Sequence, residues 1–490
     1  MNTFLLKEFT ISFFVLATVF TSCSKKDTDS SSINSFSIDQ IESDLPYVKI
    51  TTQNFILNEP KVMANMEIFE KGERTFSSPI GIEYRGASSF RMSNKKSYGI
   101  ETWDESGNDI NLEIFGFPKE EDWILMGHVF RSPETIFDPS LMRHYIGYEL
   151  YRNMGNYSSR SKFVELEIGN NTGAANYQGV YVFMEKLKRD SNRIDIAKLK
   201  SDDNDAESIT GGYILKIDKT SGSDVALENQ PLEYYENNWQ DDASYNENIS
   251  FRSKYDVNGN NIESIDPFGP PYHQYQYLET YFLYEYPKAD EISLNQRTYI
   301  QNYIYDFEAA LANEDFSSNS RAYMDYINLD SFIDFFIINE ITGNIDGYRL
   351  STYMHKDRGK KLKMGPIWDL NIGYGNSDRL PLDDWIANYN NYVPNDAWLV
   401  PFWWQKFLQD PIFKTALKTR WLELRGNTLS TETVLNLIEE TSQYLIENGA
   451  VERNYTKWSG IPVDYPKAIN DIKTYLNNRL LWMDNKINQF

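Results

Sequence analysis

The sequence contains a single cysteine, Cys23, and four histidines among 490 residues. One thiol excludes an intrachain disulfide, a thiolate zinc site and an iron–sulfur cluster. His128, His144, His273 and His355 include no HExxH pair, which argues against a histidine-rich metal centre. Positive charge is also short, because 48 Lys+Arg face 71 Asp+Glu and leave a formal net charge of −23. That balance argues against unaided binding to nucleic acid or to an anionic membrane. No GxGxxG phosphate loop and no GxSxG elbow occur. Ser93-Asn-Lys-Lys96 satisfies SxxK, but no SDN or KTG follows it, so a β-lactamase-type site is not supported. What is present is an ordinary globular composition, 41% hydrophobic, with 15% aromatics available for a core or for ligand platforms. The length exceeds one simple core and predicts two lobes or domains.

The first residues read as an address. Lys7 precedes the apolar run Ile11 to Phe20, which ends at Thr21-Ser22-Cys23. A run this short with small residues at its end is a signal peptide rather than a membrane span. The lone cysteine after it resembles a bacterial lipobox, although Phe20 stands where Leu is usual. Cys23 is therefore the expected lipidation site and the mature N-terminus. Ser24, in place of Asp, resembles lipoproteins of the outer membrane, which implies a lipid-anchored, periplasmic or surface-exposed protein. Residues 1–22 are then the signal peptide and the Ser-rich residues 23–45 a flexible tether.

Beyond the tether the chain predicts an α+β fold. Residues 46–225 carry strand patterns, among them Val48-Lys-Ile-Thr-Thr, Ile80-Gly-Ile-Glu-Tyr and Gly179-Val-Tyr-Val-Phe-Met. Gly212-Tyr-Ile-Leu-Lys-Ile is placed in the same lobe. One helix interrupts them, with Asp138-Pro139 as N-cap and N1 and Gly155 as its stop. Residues 223–265 read as an acidic, Asn-rich surface insertion. Residues 226–490 form the helical lobe, with helices predicted over 275–290, 294–313, 329–341, 401–426, 431–448 and 465–488. The aromatic stretch Trp398–Trp404 is apolar all round its turn and reads as helix core.

One hairpin, 350–367, interrupts the helices. Leu350–Lys356 alternates, Asp357-Arg-Gly-Lys360 turns, and Lys361–Ile367 returns. Pairing about that turn places residue i opposite roughly residue 717 − i. Asp346 and Asp369 flank the two strands and should meet at the open end of the hairpin. Two carboxylates there can hold a divalent cation or divide base and ligand roles; the plain alternative is a pair of solvated turn acids.

An ordered set of motifs resembles the spore-coat protein kinase (CotH) family. It comprises Arg85-Gly-Ala-Ser-Ser with Lys95-Lys96-Ser-Tyr, Asp122-Trp-Ile-Leu, Asp138-Pro-Ser-Leu-Met-Arg143 and Tyr177-Gln-Gly-Val-Tyr-Val-Phe-Met-Glu185-Lys. Arg193-Ile-Asp-Ile, Gly211-Gly-Tyr-Ile-Leu-Lys216-Ile-Asp218, Asn344-Ile-Asp346 and Pro366-Ile-Trp-Asp369 complete it. The resemblance covers about residues 46–490. It implies a two-lobed atypical protein-kinase-like fold, strand-rich then helix-rich, with ATP and Mg or Mn in the cleft. It also implies Asp346 as the catalytic aspartate and Asp369 as the metal-binding aspartate. Ser351 stands where the family has a metal-binding Asn, and Asn371 where it has a second Asp; both keep an oxygen for the cation. Lys96 is a candidate phosphate-binding lysine, Glu149 its ion-pair partner, and Glu185 falls where a hinge would meet adenine.

Three functions are compatible with these readings and stay open at this level. The first is transfer of phosphate from ATP to Ser or Thr of a surface or secreted protein. The second is a pseudokinase-like lipoprotein that binds or scaffolds a partner at the cell surface. The third is a glycan-binding surface lipoprotein.

Overall fold

Strict alternation of apolar residues closes the N-terminal part into a barrel. Its strands are β1 (Tyr47–Thr52), β2 (Val62–Glu70), β3 (Glu73–Arg85), β4 (Ser97–Thr102), β5 (Asp122–Met126), β6 (Ser161–Asn170) and β7 (Ala175–Glu185). They run in the order β1-β6-β7-β5-β4-β3-β2. β1 pairs with β6 in parallel, and every other neighbour is antiparallel. Successive side chains on a strand face opposite ways. Trp123 and Leu125 of β5 and Tyr181 and Phe183 of β7 therefore fill the barrel with Val48, Ile50 and Met66. Ile124, Val180, Val182 and Met184 face outward into a second core shared with the helices. Each such fully buried side chain contributes about 1.5–3 kcal/mol. A wall that is apolar on both faces fixes the barrel to the C-terminal helices.

The computed structural model describes residues 43–86, 88–170, 175–220, 242–268, 276–318 and 320–490. The signal segment, Cys23, most of the tether, His273 and much of the proposed insertion lie outside the described residues. Within them the tether ends sooner than its composition suggests. Leu45 is buried, and the Ser43 hydroxyl donates to Asn448 Oδ1 at 3.1 Å.

The second sheet has five strands. It comprises β8 (Tyr213–Ile217), β9 (Ser250–Asp256), β10 (Glu279–Tyr286), β11 (Thr352–Lys356) and β12 (Leu362–Met364), in the order β9-β10-β8-β11-β12. Helix α1 (Arg143–Asn153) lies between β5 and β6 in the chain. The C-terminal helices are α2 (Leu294–Ala312), α3 (Leu329–Thr342), α4 (Trp403–Phe407), α5 (Pro411–Arg425), α6 (Thr431–Glu447), α7 (Ala450–Lys457) and α8 (Tyr465–Ile487). The content is thus α+β, with a strand-rich N-terminal region and a helical C-terminal region. Trp403 and Trp404 are fully buried helix core, as expected, but residues 398–402 precede the helix and Trp398 lines a cavity instead.

Four expectations are corrected. β8 pairs with β10 and β11, so the boundary at 225 falls too late and this strand belongs with the C-terminal hairpin. Residues 279–286 form a strand, not a helix, and 250–256 form another inside the supposed insertion; Tyr281, Phe282 and Tyr284 suit a pleated, two-sided burial that apolar spacing alone does not distinguish from a helix. The helix predicted over 401–426 breaks at Asp410, whose carboxylate accepts from Ile412 N at 2.8 Å ahead of Pro411. The helix predicted from Asp138 starts at Arg143. Asp138 still serves its N-terminus, accepting from Arg143 N at 2.9 Å, while Gly155 ends it at φ 95° as expected.

Candidate functional site

The hairpin pairs Met354 with Met364 and Lys356 with Leu362, one residue from the register expected of its turn. Asp346 and Asp369 nonetheless line one cleft, a cavity of about 430 Å³, together with Ser351 and Asn371. Asp218 shares it, and Arg85, Lys216, Lys219 and Arg349 are also in its wall.

Asp346 is delivered by the end of α3. Gly343 takes the left-handed conformation there (φ 59°), and the Tyr475 hydroxyl would lie 2.1 Å from any added Cβ. Asn344 Nδ2 then donates to Asn339 Oδ1 at 3.0 Å, and Leu350 N closes the turn on Asp346 O at 2.9 Å. Arg349 is 1% exposed and holds the carboxylate. Its Nη2 donates to Asp346 Oδ1 at 2.6 Å, its Nη1 to Trp398 O at 3.0 Å, and its guanidinium lies over the Tyr389 ring. The pairing of Ile217 with Thr352 sets the next residues outward, Asp218 and Ser351, side by side.

Asp369 is held by α1. Leu370 N donates to His144 Nδ1 at 3.2 Å, Arg143 Nη1 donates to Asn371 O at 3.1 Å, and the Tyr374 hydroxyl donates to Arg143 O at 3.0 Å. Gly147 lets Leu370 approach so closely that a Cβ would lie 2.0 Å from its Cδ1. Asp369 and Ser351 both sit at positive φ, 57° and 47°. Side chains rarely adopt that conformation, which costs about 1–3 kcal/mol each and concentrates where a site must be shaped.

The electrostatics favour a cation. Burial, then Asp346 and Asp218, push the Asp369 carboxyl up to about 7, against the pull of Arg85 and Lys219. Asn371 Oδ1 is buried without a hydrogen-bond partner among the described residues. Clustered carboxylates with an unsatisfied amide oxygen are hard oxygen donors, the set that Mg²⁺ or Mn²⁺ takes. The residues present therefore fit a divalent cation.

Three predicted binding residues are placed elsewhere. Lys96 and Glu149 do not pair. Lys96 Nζ donates to Phe90 O at 2.6 Å, and Glu149 is bound by Arg152 one turn along α1. In the loop ahead of β4 it is Lys95, not Lys96, that is fully enclosed, donating to Val180 O at 2.5 Å and Asn454 Oδ1 at 2.8 Å. Glu185 is fully buried, engaged by Arg160 Nη1 at 2.6 Å and the Tyr157 hydroxyl at 3.1 Å, and is not on the cleft wall. A lysine that does line the cleft is Lys216, which pairs with Glu285, 3.3 Å apart. Burial opposes that charge, but Lys216 and Lys288 hold the Glu285 carboxyl at about 2. Arg85, Lys216 and Asp218 are visible in the sequence only as letters of the family motifs. Arg85 ends β3, while Lys216 and Asp218 stand at the end of β8, whose partner strands β10 and β11 are both remote in the sequence.

A family model described as CotH kinase protein matches residues 82–282 and 272–483. The chain belongs to the CotH kinase family. A search of curated proteins finds no match. In this CotH family member the matched segments contain Asp218, Asp346, Asp369 and Lys216, and of the cleft wall only Asn58 and Glu59 precede them.

Proposed function

We propose that this CotH family member is an atypical protein kinase, its barrel and helical regions acting as two lobes, that transfers phosphate from ATP to Ser or Thr of a surface or secreted protein. The supporting observation is one cavity lined by Asp218, Asp346 and Asp369 together with Arg85, Lys216 and Lys219. Asp346, fixed by Arg349, orients the acceptor hydroxyl and receives its proton. Lys216, steadied by Glu285, and Arg85 attract the nucleotide phosphates. Asp369 and the oxygens of Asn371, Ser351 and Asp218 would hold the divalent cation. Such a cation, when bound, neutralises charge developing on the transferred phosphoryl group. Calorimetric titration with ATP should give binding in Mg²⁺ or Mn²⁺ that is lost in EDTA; equal binding in EDTA would remove the cation from the account.

Among the described residues no helix is long and apolar enough to cross a membrane. The proposed location is a lipid anchor at Cys23, on the outer membrane, that leaves the kinase domain periplasmic or surface-exposed. Cys23→Ala should shift the protein from the detergent to the aqueous phase. Mass spectrometry that finds an unlipidated mature N-terminus in the parent would refute the anchor.

A further inference from the structure

A second cavity, of about 570 Å³, adjoins the cleft and shares Arg349, Arg379, Asp396 and Trp398 with it. The shared wall is the one behind Asp346, since Arg349 bridges Asp346 at 2.6 Å and Asp396 at 3.6 Å. Resting on the kinase assignment above, we infer that this cavity is the acceptor subsite, and that it takes a peptide with a bulky apolar side chain next to the phosphorylated Ser or Thr.

The chemistry of the walls selects that occupant. Tyr245 and Tyr281 are stacked with ring centroids 4.2 Å apart. Their polar atoms are already engaged within the protein. The Tyr245 hydroxyl donates to Asp218 O at 2.7 Å and accepts from Trp398 Nε1 at 2.9 Å, and the Tyr281 hydroxyl donates to Glu279 at 2.7 Å. Glu279 is itself neutralised by Arg252 at 2.6 Å. What these residues offer the cavity is apolar ring surface, which suits an aromatic or aliphatic side chain. A saccharide needs polar partners alongside such rings, and on this wall the hydroxyls of Tyr245 and Tyr281 and the carboxylate of Glu279 are spent. Charge agrees: Arg349 lies between Asp346 and Asp396, and Asp396 also meets Arg379 at 3.6 Å, so the shared wall is close to neutral. Arg379, its side chain 47% exposed, stands where the two cavities meet.

The test uses the full-length protein and short labelled peptides, with Phe or Leu beside the acceptor serine or with Gly in its place. Binding is read by fluorescence anisotropy with serine replaced by alanine, so that no chemistry is needed. The apolar-flanked peptides should bind about tenfold more tightly than the glycine peptide. Ala397→Trp, which fills the second cavity from a position outside the first, should abolish that preference, and Tyr277→Ala, which removes a ring from the lining of the second cavity alone, should weaken it. Calorimetric ATP binding should be the same in both variants as in the parent. Loss of ATP binding by the parent would count against the kinase assignment but leave the peptide result standing. No preference for apolar-flanked peptides, a preference that survives both variants, or capture of an oligosaccharide that Ala397→Trp blocks would overturn the inference.

Discussion

Asp346→Asn is expected to lower phosphate transfer by about 10²–10⁴-fold while leaving nucleotide affinity nearly unchanged. The amide keeps the side chain's size and an oxygen for Arg349, so the acceptor-side geometry survives but the proton acceptor is lost. Arg349 is not stranded by the change, because Asp396 remains 3.6 Å from its Nη1. A thermal melt close to that of the parent should accompany the loss of rate. A variant that lost nucleotide binding as well would place Asp346 among the cation ligands.

Asp369→Asn should do the opposite, removing cation-dependent ATP binding while stabilising the empty protein. The ordinary carboxyl value of 3.8 is raised to about 7 in the fold by burial, Asp346 and Asp218. A folded value above the unfolded one means that this group favours folding fully below about pH 4. That contribution is lost as the pH rises through 7. The rise corresponds to about 4 kcal/mol as an upper bound, and asparagine carries no such penalty. At pH 8 without cation the variant should therefore melt higher than the parent, and the gap should narrow toward pH 5. Added Mg²⁺ should raise the melting temperature of the parent alone, more at pH 8 than at pH 6, because a cation competes with the proton for this carboxylate. A variant that melts lower at pH 8, or one that still responds to Mg²⁺, would contradict the placement of Asp369.

The parts of the site legible in the sequence are those set by local geometry. Asp346 and Asp369 flank a single hairpin, so a turn and its alternation are enough to bring them together, although the register is one residue off. Asp218 and Lys216 reach the same cleft through pairing of β8 with β11 and β10, and no local pattern announces a contact across that distance. The motif suggests Lys96 as the phosphate-binding lysine, yet both lysines sit in the loop before β4 and bind within the protein, Lys96 to Phe90 O and Lys95 to Val180 O and Asn454, so neither reaches the cleft wall. Glu149 falls on the apolar stripe expected of α1, but the face of α1 that matters carries Arg143, His144 and Gly147, which clamp the Asp369 segment. The strand β10 reads as helix in the sequence because its aromatic run fits either period until its partners are known.

The most direct measurement is incorporation of labelled phosphate from ATP into protein, with Mg²⁺ and with Mn²⁺. It compares the parent, Asp346→Asn, Asp369→Asn and the doubly restored variant Ser351→Asn with Asn371→Asp. Incorporation by the parent that is lost in both aspartate variants is the predicted result. Incorporation only by the restored variant would mean that this member keeps the site but not the chemistry, and incorporation by the parent that survives Asp369→Asn would contradict the assignment of the cleft.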